Sequence, residues 1–289
     1  MTDVPVILRG REKSLGGMPI RRVLPYRSHM MVGPFIYMDH MGPVTLDAGR
    51  GVDVPPHPHV GLATVTYLFE GVLTHRDSLG FKQTILPGDV NWMTAGRGIV
   101  HSERTPTESR GAGIRMDGIQ TWVALPREVE EVEPSFQHHP KTTLPRFELD
   151  GAVFHLLAGE AFGRKSPVQG FSDLFYLEVV VSAGTRVRVP DDGRESGAYI
   201  AEGAVRFGAE VYGPGTLIVV DNCDERLLVA ERDSRYMLLG GTPLDGDRFI
   251  WWNFVSTSEH RIEQAKKDWR DNRFPVIPGE GREAPLPDR

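Results

Sequence analysis

GVDVPPHPHVG (Gly51–Gly61) and NWMTAGRGIVHSE (Asn91–Glu103) decide how this chain reads. Each stretch holds two metal-competent side chains spaced two residues apart: His57 and His59 in the first, His101 and Glu103 in the second. In an extended strand, residues two apart share a face and stand roughly 6.5–7 Å from each other. Imidazoles so placed can lean onto one ion at about 2 Å from each nitrogen. Two neighbouring strands would then offer three neutral imidazoles and one carboxylate. That donor set suits a borderline transition ion better than Mg or Ca, which prefer oxygen shells.

The flanking sequence fits this extended setting. Pro55 and Pro56 hold the entry to the first pair extended. Leu62–Phe69 (LATVTYLF) is rich in β-branched and aromatic residues and stops at Glu70-Gly71. Short strands are expected at 18–24, 35–43, 72–76, 81–86, 90–93 and 119–124, with Pro87-Gly88-Asp89 as a turn. The stretch 126–146 is acidic, proline-punctuated and without apolar periodicity, and reads as a linker; His138 and His139, being adjacent, point to opposite sides and chelate poorly. Beyond it, runs such as LFYLEVVVSAG and AYIAEGAVRFG resume a β rhythm. Ser256 with Glu259 forms a capping-box pattern, and Ile262, Ala265 and Trp269 recur at helical spacing, so one helix is expected over 256–271. The fold class is therefore all-β with a short C-terminal helix. Its domains are 1–132, carrying the site, and 147–289, separated by a linker at 133–146.

The two halves share a weak repeat. Glu70-Gly71 and Pro87-Gly88 have counterparts in Glu202-Gly203 and Pro214-Gly215 at comparable spacing. The same alignment sets His57-Pro58-His59 against Pro190-Asp191-Asp192 and His101 near Leu228, so the second half has lost its ligands.

Composition narrows the function classes. The chain has 289 residues with 32 Gly and 22 Pro, as turn-rich β proteins do, and a formal charge of −6 that gives no pull toward nucleic acid or anionic membrane. No apolar stretch is long enough for a signal peptide or a membrane span. The single cysteine, Cys223, allows no intrachain disulfide and fits a reducing cytoplasm. No GxSxG elbow, phosphate loop or dinucleotide fingerprint is present. Arg97 could aim at an anion or stabilise its turn. Asp39 and His40 could support the ligands, although packing is the plainer role. Met93, Trp92 and Trp122 read as core or pocket lining, and His29, His75, His155 and His260 have no assigned partner.

Three longer motifs carry a family resemblance. HPH-x-G-x-x-T-V-T-Y-L-x-E-G (57–71), PGD-x-x-W-MTAGRGI-x-HSE (87–103) and IQTWVALP (119–126) resemble the pirin family of the cupin superfamily. The resemblance implies a bicupin: two antiparallel β-barrels (double-stranded β-helices), with metal in the first only. It carries the family's three histidines and one glutamate onto His57, His59, His101 and Glu103. The general cupin glutamate, which follows HxH, falls here on Ala63 and Thr64, so only the pirin variant of the pattern holds. Fe(II) is the implied ion, with Mn, Ni, Co, Cu and Zn as alternatives. Several members show quercetin 2,3-dioxygenase activity, implying a flavonoid or phenolic substrate and O2, with Glu103 as ligand and catalytic base. Other members modulate transcription factors or metabolic enzymes, so a protein partner is the alternative expectation.

Overall fold

The structure is a computed structural model describing residues 5–15, 17–111, 113–220, 223, 226–281 and 284–287. Strands dominate, and the one α-helix among the described residues is Glu259–Arg270. The strands fall into two compact units, each built from a larger and a smaller antiparallel sheet.

The compact units cut across the boundaries read at 132 and 147. One comprises Lys13–Ile20, Met41–Lys141 and the chain from Asp245 onward. The other comprises the chain up to Glu12, Arg21–His40 and Thr142–Leu244. Pairing explains the exchange. Strand Val6–Arg9 runs antiparallel to Thr216–Val219, so it belongs with the second half. Phe254, Ile262, Ala265, Trp269, Phe274 and Ile277 share a core cluster with Val60 and Val100, so the C-terminal segment belongs with the first. Neither partnership leaves a local periodicity that a sequence window could register.

In the unit containing the paired histidines, the smaller sheet has the order Asp53–His59, Ile99–Arg104, Leu73–Asp77, Lys82–Ile85. The larger sheet is centred on Val90–Thr94, Leu62–Glu70 and Ile114–Ala124, in that order. In the other unit the smaller sheet runs Arg186–Arg188, Leu227–Ala230, Val205–Phe207, Glu210–Tyr212. Its larger sheet is centred on Thr216–Val219, Glu195–Glu202 and Ser234–Gly241. The strand neighbours match one for one in chain order. The same β-bulge recurs beside each Glu-Gly turn, at Leu68/Glu70 in one unit and at Ile200/Glu202 in the other. Bulges are placed features rather than accidents, so the shared one strengthens the repeat.

Register corrects one equivalence. His101 lies opposite His57, and Leu228 lies opposite Val187. Leu228 is thus the counterpart of His101, as the sequence indicates. The counterpart of His57-Pro58-His59, however, is Val187-Arg188-Val189, three residues before the expected Pro190–Asp192. The spacing between the shared turns itself changes, 17 residues from Glu70 to Pro87 against 12 from Glu202 to Pro214, so counting from the Glu-Gly turn misplaces the strand before it.

Two further readings change. Within the expected linker, Ser135–His139 is a strand paired antiparallel to Val90–Thr94. It is an edge strand whose side chains are half-buried or exposed, which is why it shows no apolar alternation. The helix begins later than the capping-box pattern suggests. Its N-cap is Ser258, accepting from the Arg261 amide, while the Ser256 hydroxyl instead donates to Glu130. The buried stripe Ile262, Ala265, Trp269 is as expected.

Candidate metal centre

The His57 strand (Asp53–His59) and the His101 strand (Ile99–Arg104) are adjacent, and their register sets His101 across from His57 and Ile99 across from His59. One ring nitrogen from each of His57, His59 and His101 lies within 4.8 Å of the others. Gly61 fixes the exit from the first strand: at φ +72° it sits where a Cβ would come within 1.9 Å of the Val255 carbonyl oxygen. The helix-bearing segment therefore abuts the His57 strand with no room for a side chain.

Hydrogen bonds aim the rings. His57 Nδ1 is 2.8 Å from the Pro55 carbonyl and donates to it, leaving Nε2 for the centre. His59 donates to the Asn253 backbone carbonyl, and its Nδ1 is buried without a partner. His101 engages His75 through Nδ1 at 3.3 Å, and its Nε2 is likewise buried and unpartnered. Buried polar atoms are normally satisfied, so two bare imidazole nitrogens facing a third in one small space indicate a missing electrophile. A divalent transition ion fits this donor set, with each ring's second nitrogen already committed elsewhere.

Electrostatics agree. Burial is the main cause holding the His57 imidazole below its usual range and those of His59 and His101 well below it, with the neighbouring imidazoles adding to the effect on the latter two. All three are neutral at pH 7, with lone pairs available.

Glu103 shares the inner face of its strand with His101 but stands outside the mutual 4.8 Å set. Thr66 donates to its Oε1 at 3.0 Å and Gln120 to its Oε2 at 2.8 Å. The carboxylate is only 5% exposed, and no basic side chain ion-pairs with it among the described residues. A buried carboxylate without a cation is costly, and a bound divalent ion would offset that cost.

Some nearby residues were not legible as part of the site. His75 lies against both His101 and Asp77; Thr66 and Gln120 face each other across two strands and both reach Glu103. Trp122 sets its ring edge-on to His59, centroids 5.2 Å apart. The TVTY and IQTW alternation could have flagged Thr66 and Gln120 as sharing one face, but the run Leu62–Leu68 is buried throughout, and that masks the period. Other candidates lie elsewhere. Asp39 is spent on Arg22 at 2.8–2.9 Å, His40 on the Tyr199 hydroxyl, and Arg97 on Glu133 at the surface. His138 bonds Asn91, and Cys223 is a buried thiol outside any disulfide.

The sequence patterns of two known domains match the chain: Pirin over residues 17–123 and the Pirin C-terminal cupin domain over 176–275. The chain belongs to the pirin family. A pirin-like protein of Caulobacter vibrioides is 47% identical over 99% of this chain and 100% of its own length. Rat pirin is 31% identical over 93% of this chain and 92% of its own. Among solved structures, a quercetin 2,3-dioxygenase from Acinetobacter baumannii matches this pirin with a TM-score of 0.89 at 34% identity, covering 99% of this chain and 97% of that one.

Proposed function

We propose that this pirin is a metal-dependent dioxygenase of the quercetin 2,3-dioxygenase type, acting on a flavonol-like substrate with O2. The observation that carries the reading is the convergence of bare imidazole nitrogens beside a buried carboxylate that lacks a cation. The likeness to the Acinetobacter enzyme supports the reaction class. His57, His59 and His101 hold the ion, and Glu103 completes the set. Fe(II) is the proposed ion, with other divalent transition metals as substitutes; its reduced state suits the cytoplasm, the proposed location. No helix among the described residues is long and apolar enough to cross a membrane.

When bound, the ion supplies Lewis acidity toward a substrate hydroxyl and a redox-active partner for O2. Three neutral imidazoles and one carboxylate contribute a single negative charge. With a divalent ion the site keeps about one positive charge and favours a deprotonated, monoanionic substrate. Glu103 takes the hydroxyl proton. Thr66 and Gln120 donate to its two oxygens and keep it positioned as an acceptor. Trp122, itself buried, sets its ring edge-on against His59 and shields that imidazole from water.

The test is aerobic incubation of Fe(II)-loaded protein with quercetin. Oxygen uptake with release of carbon monoxide is expected. Full iron loading with no uptake above that of a His57→Ala or His101→Ala control would overturn the reading for this substrate.

A further inference from the structure

Two buried polar side chains beside the centre have no role in the chemistry above. His75 is 3% exposed and Asp77 0%. Both lie on the strand Leu73–Asp77, the other neighbour of the His101 strand, where Asp77 pairs across from His101 and His75 across from Glu103. His75 Nε2 is 3.0 Å from Asp77 Oδ2, and His75 Nδ1 is 3.3 Å from His101 Nδ1. Asp77 is anchored in turn: its Oδ1 accepts from the Leu79 and Phe81 amides at 2.9 and 3.1 Å. Phe136 stacks on the His75 ring, centroids 4.3 Å apart and planes within 11°.

Proton accounting leaves one arrangement. For His101 to present a lone pair at Nε2, its proton must sit on Nδ1. That N–H needs an acceptor, and the atom facing it is His75 Nδ1. His75 must then carry its own proton on Nε2, where the Asp77 carboxylate accepts it. The opposite tautomer of His75 would point its N–H at Nδ1 of His101 and force the His101 proton onto Nε2, where the ion belongs. Every group keeps its charge; only the side of each ring that bears the proton is fixed.

We propose that Asp77 and His75 form a two-member positioning relay that locks the tautomer and ring orientation of His101. Metal-binding histidines usually lean directly on a carboxylate or carbonyl. Here a second imidazole is interposed, so the anchoring carboxylate stands one residue further from the ion. An independent observation supports this assignment. By register, His75 and Asp77 correspond in the other cupin domain to Val205, opposite Ala230, and Phe207, opposite Leu228. Where the ligand histidines give way to apolar residues, the relay does too. A pair needed only to hold the fold would have no reason to change together with them.

This inference rests on the metal reading, and its test separates the two. The full-length protein is stripped of metal and reloaded with Co(II) or Zn(II), and affinity is measured by competition with a chromophoric chelator. In Asp77→Asn, the amide replaces Oδ2 while its carbonyl keeps the Leu79 and Phe81 amides, so a donor faces His75 and reverses its tautomer. That variant and His75→Leu are expected to bind about 10–100-fold more weakly. His75→Asn, whose side-chain carbonyl can accept from His101, is expected to recover to within a few-fold of the parent. Ring 15N shifts of the Zn(II)-loaded parent should show His75 protonated at Nε2 and bare at Nδ1, a readout that stands even where a variant fails to fold. Parent-like affinity in both Asp77→Asn and His75→Leu, or a proton on His75 Nδ1, overturns the relay while the metal site stands. Parent affinity no better than that of His101→Ala overturns the metal reading, and the relay with it.

Discussion

The two cupin domains of this pirin have the same strand order and the same bulge, yet their interiors differ in kind. Register sets His57, His59, His101 and Glu103 against Val187, Val189, Leu228 and Ala230. It likewise sets His75 and Asp77 against Val205 and Phe207, and Thr66 and Gln120 against Ala198 and Leu238. All eight of the second set sit in one apolar core cluster with Phe154, Phe175 and Tyr236. The backbone thus accepts either a hydrogen-bonded polar layer or a packed hydrocarbon one. The scaffold supplies strand pairs at chelating distance, and the inward side chains alone decide whether that geometry gathers imidazoles that could hold an ion or fills a core.

The comparison can be broken by transplanting one interior into the other. His57→Val, His59→Val, His101→Leu and Glu103→Ala together should abolish metal binding while leaving the far-UV circular dichroism of a β protein. Residual stoichiometric binding would show that the ion is held elsewhere. Next in size is the brace supplied to the histidine-bearing unit. Trp269 packs in the cluster that includes Val60 and Val100, the neighbours of His59 and His101. Trp269→Ala should cost about 3–5 kcal/mol in denaturant unfolding and also weaken metal retention. Retention unchanged at reduced stability would mean that the helix stabilises the domain without aligning its ligands.

A pH series sharpens the contrast at smaller amplitude. Burial depresses the imidazoles of His57, His59 and His101, so as pH falls through about 6.5 the unfolded chain takes up protons that the metal-free folded chain resists. The stability they contribute is complete above that pH and is lost progressively below it. The Tm of the metal-free parent should therefore fall between about pH 7 and 5 more steeply than that of the four-residue variant, whose apolar interior does not titrate. Parallel curves would show that these rings are not the buried neutral groups described. The smallest effect is expected on the outer face of the same sheet. Ser102 and Arg104 hold the Glu280 carboxylate at 2.9 and 3.4 Å, and Arg76 lies 3.8 Å away. These arginines are one-third or more exposed, so Glu280→Gln should cost less than about 1 kcal/mol and leave metal affinity unchanged.

Much of this architecture is legible in the sequence. The i, i+2 spacing of His57 with His59 and of His101 with Glu103 follows from strand geometry, and the glycine and proline turns mark the strands between them. Leu228 could be matched to His101 by counting from shared turns. The support for the site could not be read. His75 meets His101 only through the lateral order of the sheet, which places strand 73–77 beside 99–104 although Lys82–Ile85 and Val90–Thr94 intervene in the chain. His59 donates to Asn253, nearly two hundred residues away, because the C-terminal segment returns to the first unit. Ser135–His139 reads as linker in the sequence because an edge strand with half-exposed faces has no alternation to display.

The most direct test of the central claim is X-ray absorption and elemental analysis of protein purified without air. One divalent transition ion per chain is predicted, ligated by three imidazoles and a carboxylate oxygen, with the imidazole signal lost in His101→Ala. An ion bound in the parent with the same spectrum in His101→Ala, or no ion after anaerobic Fe(II) loading, would contradict it.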